Sequence, residues 1–282
     1  MTGALAVLAA AAGLFWRAGT GEFGFTTVRG ETVPLYGRGL YHYDTLFAAG
    51  GAMGNDAVVL LVGIPLLVAS TVLGRRGGLR WGLLHLGVLG YFLYTYASAA
   101  LGTVAFNPLF PVYAVLFSAS LFAVVLAASS IDLARLASHL GPLAPRRSLA
   151  VFLFVSGAIT VAVWALPLAV ALVQGDVTAR LDSYTTEVTV ALDLAVITPL
   201  LFFAAVLVLR RQPLGYLLAA TLLVLETMLA PMIAAQTVGQ LLAGVEFSTA
   251  EAVGPIAGFV VLAAGAAWFF IAIQRHITEE TP

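Results

Sequence analysis

Apolar residues run along this chain in long, nearly uninterrupted stretches, and most of the breaks between them are short. A membrane-spanning helix needs about 20 mostly apolar residues to cross roughly 30 Å of hydrocarbon. Eight stretches reach or approach this length, which predicts an all-α polytopic membrane protein that forms a single domain over residues 1–282. The predicted spans are Thr2–Trp16, Asp56–Gly74, Leu79–Gly102, Leu109–Ser129, Leu149–Val173, Glu187–Leu209, Leu214–Leu242 and Val253–Ile273.

The longest break, residues 17–54, is large enough to form a small structure outside the membrane. Two β-prone runs, Glu22–Val28 and Thr32–Tyr36, flank the turn Arg29-Gly30-Glu31, which predicts a β-hairpin. The tyrosines that follow are typical of interfacial anchors. The alternative interpretation is a lid over an exofacial vestibule, whose residues would be Arg38, Tyr41, His42, Asp44 and Asp56.

The arginines predict the orientation, because basic residues in short loops stay on the cytoplasmic side. Nine of the 13 fall on one side of an eight-span topology: Arg75, Arg76, Arg80, Arg135, Arg146, Arg147, Arg210, Arg211 and Arg275. Arg180 is one of the four on the other side. Both termini are therefore expected in the cytoplasm of a cell (plasma) membrane protein. The alanine-rich composition without lysine fits a GC-rich bacterial genome, which indicates a bacterial inner membrane.

Two segments resemble each other and indicate an internal duplication. The run Ile64-Pro65-Leu66-Leu67 and the run Thr198-Pro199-Leu200-Leu201 each precede an Arg-Arg pair and a further apolar helix. Residues 1–140 and 141–282 would then be parallel halves of four spans each. The alternative is that apolar helices imitate one another by chance.

Composition excludes several classes of function. The chain is 61% hydrophobic and 10% charged, whereas soluble domains carry about 25% charged residues. A net charge of -1 leaves no basic face for nucleic acid. The absence of cysteine and lysine excludes disulfides, thiolate chemistry, Schiff bases and the P-loop. Only His85 lies in a predicted span and no zinc-binding spacing occurs, so neither a metal nor a cofactor is expected.

Ionisable groups inside a span are the main candidates for chemistry, because each costs about 2.5–3.5 kcal/mol on insertion scales. Glu226 and Asp193 lie within predicted spans, whereas Asp56 and Glu187 begin theirs and would reach headgroups. Helical spacing places two further polar side chains on the face of Glu226, and two tyrosines on the third span could donate to the carboxylates. The predicted binding or coupling residues are Glu226, Asp193, Tyr91, Tyr94, Thr237 and Gln240.

Three functions follow from these residues. The first is a transporter or channel for a small solute or cation, with proton coupling through Glu226; the alternative for this residue is a protonated packing role. The second is a membrane-embedded enzyme that acts on a lipid at the outer leaflet through Asp44, Asp56, His42 and Arg38. The third is a non-catalytic subunit of a membrane complex. The expected partners are membrane lipids, a small solute or cation, and another membrane protein or a second copy of the chain.

Overall fold

Helices make up most of the fold. A computed structural model of the chain describes residues 2–75, 77–104, 106–140, 145–176 and 181–277. In this part of the chain, seven helices are long and apolar enough to cross a membrane, as in a multi-pass membrane protein. In chain order the helices are α1 (Thr2–Phe15), α2 (Leu46–Gly74), α3 (Leu79–Gly102), α4 (Phe110–Ser130), α5 (Leu133–His139), α6 (Arg146–Gln174), α7 (Val188–Leu209), α8 (Pro213–Leu242) and α9 (Thr249–His276); α1 and α5 are the short ones.

The first helix is apolar but short. Its 14 residues cover about 21 Å at 1.5 Å per residue, less than the roughly 30 Å of a hydrocarbon core. Ala6, Ala9 and Ala10 are buried where α1 packs on α2 and α4. The helix therefore belongs to the bundle.

The predicted hairpin is confirmed. Strands β1 (Phe23–Thr26) and β2 (Thr32–Leu35) pair antiparallel, and Gly30 takes a positive φ of 86° in the turn between them. A short 3₁₀ turn, Gly39–Tyr41, then leads to Thr45, whose side chain accepts a hydrogen bond from the backbone of Ala48 and caps α2.

The second helix begins at Leu46, ahead of the predicted start at Asp56. The sequence prediction was wrong because the glycines of this segment were assigned to a loop. Gly50 and Gly54 instead face α8: a Cβ at Gly50 would lie 2.5 Å from Gln240 Cα, and one at Gly54 would lie 2.2 Å from the carbonyl oxygen of Ala235. The glycines allow two helix backbones to touch, as small residues do in membrane bundles.

Two helices contain a π-helical turn, and each turn ends two residues before a proline. The turn Val59–Gly63 in α2 comes before Pro65, and the turn Asp193–Ile197 in α7 comes before Pro199. Proline cannot donate the regular backbone hydrogen bond of an α-helix, and π turns are one way in which a helix absorbs such an interruption. Each turn ends immediately before one of the two similar sequence segments, which begin at Ile64 and Thr198.

Helices α3 and α8 form the centre of the bundle. They pack against each other and are the most buried of the seven long helices, while α4 packs on α3 and α9 packs on α8. Large aliphatic side chains on the peripheral helices, such as Leu61, Leu126 and Val261, are exposed. This arrangement suits a bundle surrounded by lipid.

At the end of the bundle away from the hairpin, hydrogen bonds join the beginning of α3 to the end of α9. The Arg80 side chain donates a 2.6 Å hydrogen bond to the carbonyl oxygen of Ile277, and the Gln274 amide donates one of 3.0 Å to the carbonyl oxygen of Arg80. Arg76 and Arg180, which entered the orientation argument, lie outside the described residues.

Candidate functional site

A polar cavity of about 310 Å³ lies at the end of the bundle that carries the hairpin. We call it the hairpin-end cavity. Its wall comes from α2, α3, the beginning of α7, the end of α8 and the loops beside them. Asp44, Asp56 and Glu187 contribute three acidic side chains, and none of the described residues that line the cavity is basic. Hydroxyl and amide groups from Thr95, Ser98, Gln236 and Gln240 complete much of the polar wall.

Asp56 lies within α2 and is 9% exposed, so the expectation that it begins a span and reaches headgroups is wrong. Its Oδ2 atom accepts a 2.5 Å hydrogen bond from the Tyr41 hydroxyl, which lies 3.5 Å from the Tyr113 hydroxyl. A Cβ at Gly13 of α1 would lie 1.8 Å from this oxygen, so only glycine leaves room for the carboxylate. Burial and the nearby Asp56 raise the pKa of Tyr41 well above its ordinary value, which keeps the phenol a neutral donor.

Asp44 joins the segment before α2 to the connection between α6 and α7. Its Oδ1 atom accepts a hydrogen bond from the Tyr184 hydroxyl, and the Arg29 side chain of the hairpin turn donates to the carbonyl oxygens of Tyr184 and Asp182. Burial raises the pKa of Asp44 to about 6, although the Tyr184 hydrogen bond opposes the change. Burial and the charge of Asp44 also raise the pKa of Tyr184. Hydrogen bonds therefore join the hairpin to the α6–α7 connection, and this connection to Asp44 in the cavity wall.

Several oxygens of the cavity wall lack a hydrogen-bond partner among the described residues. They are Asp44 Oδ2, Asn55 Oδ1, Thr95 Oγ1 and Ser98 Oγ, all buried. Buried polar atoms are usually hydrogen-bonded, so unsatisfied oxygens that line a cavity indicate the position of a cation, a donor group or water.

Of the five predicted vestibule residues, Tyr41, Asp44 and Asp56 line the hairpin-end cavity, and Arg38 and His42 do not. The Arg38 guanidinium lies over Gly21, and the His42 ring packs between Phe23 and Tyr43 at centroid distances of 5.2 and 4.6 Å. The four side chains of the hypothetical lipid enzyme therefore do not converge on one cavity.

A second cavity, of about 510 Å³, lies between α6, α7, α8 and α9. We call it the α6–α9 cavity. Most of its wall is apolar, from residues such as Ile159, Val163 and Leu262, but Asp193 and Glu226 both line it. It is thus an apolar space with two carboxyl groups.

Both oxygens of Asp193 have partners. Oδ1 accepts a 2.9 Å hydrogen bond from the Tyr94 hydroxyl, and Oδ2 accepts one of 2.8 Å from the Trp164 indole. The predicted tyrosine-to-carboxylate contact is thus present for Tyr94. Tyr91 is buried against the π turn of α2, near Gly63, and donates to neither carboxylate.

Glu226 is 4% exposed and has one satisfied oxygen. Its Oε1 atom accepts from the Ser156 hydroxyl of α6, and its Oε2 atom has no partner among the described residues. The polar stripe predicted from Glu226 to Gln240 is divided between the cavities. Thr237 bonds to the Ile233 carbonyl oxygen of its own helix, and Gln240 lines the hairpin-end cavity and donates to the Phe47 carbonyl oxygen.

Sequence reasoning missed the partners of these acids. Ser156 and Trp164, the partners of Glu226 and Asp193, lie on α6, and Tyr184, the partner of Asp44, lies beside the hairpin-end cavity. Trp164 carried a usable signal, because an indole N–H inside an apolar helix needs an acceptor. Gly254 and Gly258 have the G-x-x-x-G spacing of a close helix contact, but nothing lies within 4 Å of a Cβ at either position.

The described residues contain no cluster of three or more histidine, aspartate or glutamate side chains suited to a metal ion. No family model, curated protein or solved structure matches this chain. The function is therefore inferred from the two cavities alone.

Proposed function

We propose that this protein is a transporter or channel for a small cation or cationic solute, which it binds in the hairpin-end cavity. One observation carries the proposal: the cavity has three acidic side chains and no basic one among the described residues of its wall. A wall of this composition creates a negative potential that attracts cations and opposes anions.

The unsatisfied oxygens support the same class of solute. Asp44 Oδ2, Asn55 Oδ1 and Ser98 Oγ could each coordinate a cation or accept a hydrogen bond from an ammonium group. Asp56 accepts a hydrogen bond from Tyr41 and packs on Gly13 of α1, and these contacts hold its carboxyl group in the cavity wall. An enzyme is less well supported, because Arg38 and His42 lie away from these carboxylates.

A second acidic site deeper in the bundle favours passage over simple binding. Glu226 lies fourteen residues before Gln240 on α8, about 21 Å along the helix axis. In the proposed mechanism, Glu226 gains and loses a proton as the solute passes, and intramembrane carboxylates commonly serve proton relays.

The proposed architecture is eight spans in two parallel halves, with both termini in the cytoplasm. The matching π turns before Pro65 and Pro199 support the duplication, as does the central contact of α3 with α8, which occupy equivalent places in the two halves. Carriers built from repeats commonly bind their substrate where the repeats meet.

Flux measurements test the proposal. The parent protein, Asp56→Asn, Glu226→Gln and the exposed control Glu22→Gln are reconstituted in proteoliposomes, and Na⁺, K⁺ and proton entry are followed under an imposed potential. We expect flux in the parent and in Glu22→Gln. Asp56→Asn should reduce cation flux at least tenfold because it removes an acidic group from the cavity wall, and Glu226→Gln should abolish proton coupling.

Two results would contradict this expectation. Absence of any flux in the folded parent would overturn the transport function. Unchanged flux in folded Glu226→Gln would instead assign Glu226 to helix packing, the alternative role of a buried acid in a membrane protein.

A further inference from the structure

The α6–α9 cavity has the size and chemistry of a small-molecule site. Its volume of about 510 Å³ lies within the range of about 300–1,000 Å³ that ligand pockets occupy, and its wall is largely apolar with a few polar groups. The carboxyl groups form two separate pairs along α6: Ser156 donates to Glu226, and Trp164, eight residues farther along the helix, donates to Asp193. An occupant that meets one of these pairs would need a polar end and an apolar body.

The polar end can be specified further. Asp193 already accepts from Tyr94 and Trp164 with both oxygens, whereas Glu226 Oε2 is buried and has no partner in the described part of the chain. Leaving a buried carboxyl oxygen unsatisfied costs free energy, and a donor group brought by a ligand would remove that cost. A carboxylate or phosphate head would instead meet two acidic side chains.

The apolar body has open space along α9. Gly254 and Gly258 line the cavity, and nothing lies within 4 Å of a Cβ at either position. Val163 of α6 and Val261 of α9, which also line the cavity, are exposed on the outside of the bundle. Because α9 packs mainly on α8 and α6 mainly on α7, the two helices leave a gap that faces the lipid.

We infer that the α6–α9 cavity binds a single-chain amphiphile from the membrane, with a hydroxyl or ammonium head that donates to Glu226 Oε2 and a chain that lies between α6 and α9. The inference concerns binding alone and does not depend on the transport function. The two head groups share the donor chemistry, and the experiment separates them.

Trp164 is a built-in reporter of occupancy. The chain has 4 tryptophans, so replacing Trp16, Trp81 and Trp268 with phenylalanine leaves Trp164 as the sole tryptophan, whose emission is excited selectively over that of tyrosine. Three probes with the same brominated twelve-carbon chain are titrated at pH 8: 12-bromododecanol, 12-bromododecylammonium and 12-bromododecanoate. Bromine quenches indole at short range. We expect saturable quenching by the alcohol, by the ammonium or by both, and binding of the carboxylate at least tenfold weaker.

Two substitutions test the site in the same background. Glu226→Leu removes the acceptor and should weaken donor-headed probes at least tenfold. Gly258→Leu leaves Glu226 intact but fills the open space, and it should also weaken them; Gly74→Leu, which adds leucine to another open helix surface, is its control. If Glu226→Leu fails to fold, Gly258→Leu still decides. Equal quenching by all three probes, or quenching that neither substitution changes, would overturn the inference, because the cavity would then hold lipid chains without selecting a head group.

Discussion

Asp44 is the residue whose protonation most directly affects the structure around the hairpin-end cavity. It is 4% exposed and hydrogen-bonded to Tyr184, and burial raises its pKa from 3.8 to about 6. A raised pKa means that the folded protein holds this proton more tightly than the unfolded chain does. The free energy of unfolding therefore falls as the pH rises from about 4 to about 6, and this contribution is constant above that range.

Asp44→Asn should remove this part of the pH dependence. Two pKa units correspond to about 3 kcal/mol at 1.36 kcal/mol per unit, and asparagine can still accept the Tyr184 hydrogen bond without ionising. Thermal unfolding of the purified protein is measured from pH 4 to pH 8 at constant ionic strength. The variant should gain stability relative to the parent between pH 4 and pH 6. Parallel curves for the two proteins would show that Asp44 is not the responsible group.

At the scale of elements, the contact between α2 and α8 determines the shape of the hairpin-end cavity. Asp56 and Asn55 on α2 face Gln236 and Gln240 on α8 across the same space. The two helices approach this closely because Gly50 and Gly54 carry no side chain at the contact.

Gly54→Ala should destabilise the bundle. The added methyl group would lie 2.2 Å from the Ala235 carbonyl oxygen, so the backbones must separate. Overpacking of this kind typically costs about 1–3 kcal/mol. Gly74→Ala in the same helix is the matched control, since its Cβ meets nothing within 4 Å and alanine favours helix by about 1 kcal/mol. A melting temperature that falls for Gly54→Ala and holds or rises for Gly74→Ala would support this. Equal effects would contradict the close approach.

The same contact explains what the sequence could and could not predict. The hairpin was predictable because its turn, Arg29-Gly30-Glu31, is a local signal, and long apolar runs predicted the helices. The start of α2 was not predictable, because glycines such as Gly50 and Gly54 are typical of loops. Their role in a helix contact is evident only from the structure, in which α8 packs against them. Glu226 and Asp193 stood out by charge alone. In the structure they line a different cavity from Gln240. Which cavity a side chain lines depends on the neighbouring helices, and the residue pattern of a single helix does not show this.

At the scale of the whole molecule, the connections rich in arginine lie at one end of the bundle and the hairpin lies at the other. The α2–α3 and α4–α6 connections contact the end of α9 through Arg80 and Leu140, far along the helices from Tyr41 and Asp44. In the topology proposed above, which follows the positive-inside rule, the hairpin-end cavity opens to the outside and the arginine end lies in the cytoplasm. Helix α1 distinguishes an eight-span from a seven-span topology, because it covers only about 21 Å.

Cysteine labelling decides the topology, because the natural chain contains no cysteine. Single cysteines are placed at Thr2, the first residue of α1, at Val28 in the hairpin, which is 87% exposed, and at Ser138 in α5. A membrane-impermeant maleimide added to intact bacterial cells should label Val28→Cys and spare Thr2→Cys and Ser138→Cys, and inside-out vesicles should reverse the pattern.

Because three long helices separate Val28 from Ser138, labelling of both from one side would contradict the bundle's crossing of the membrane. Labelling of Thr2→Cys together with Val28→Cys would mean that α1 packs on α2 without spanning. A seven-span protein with an external N-terminus would then still place the hairpin-end cavity outside.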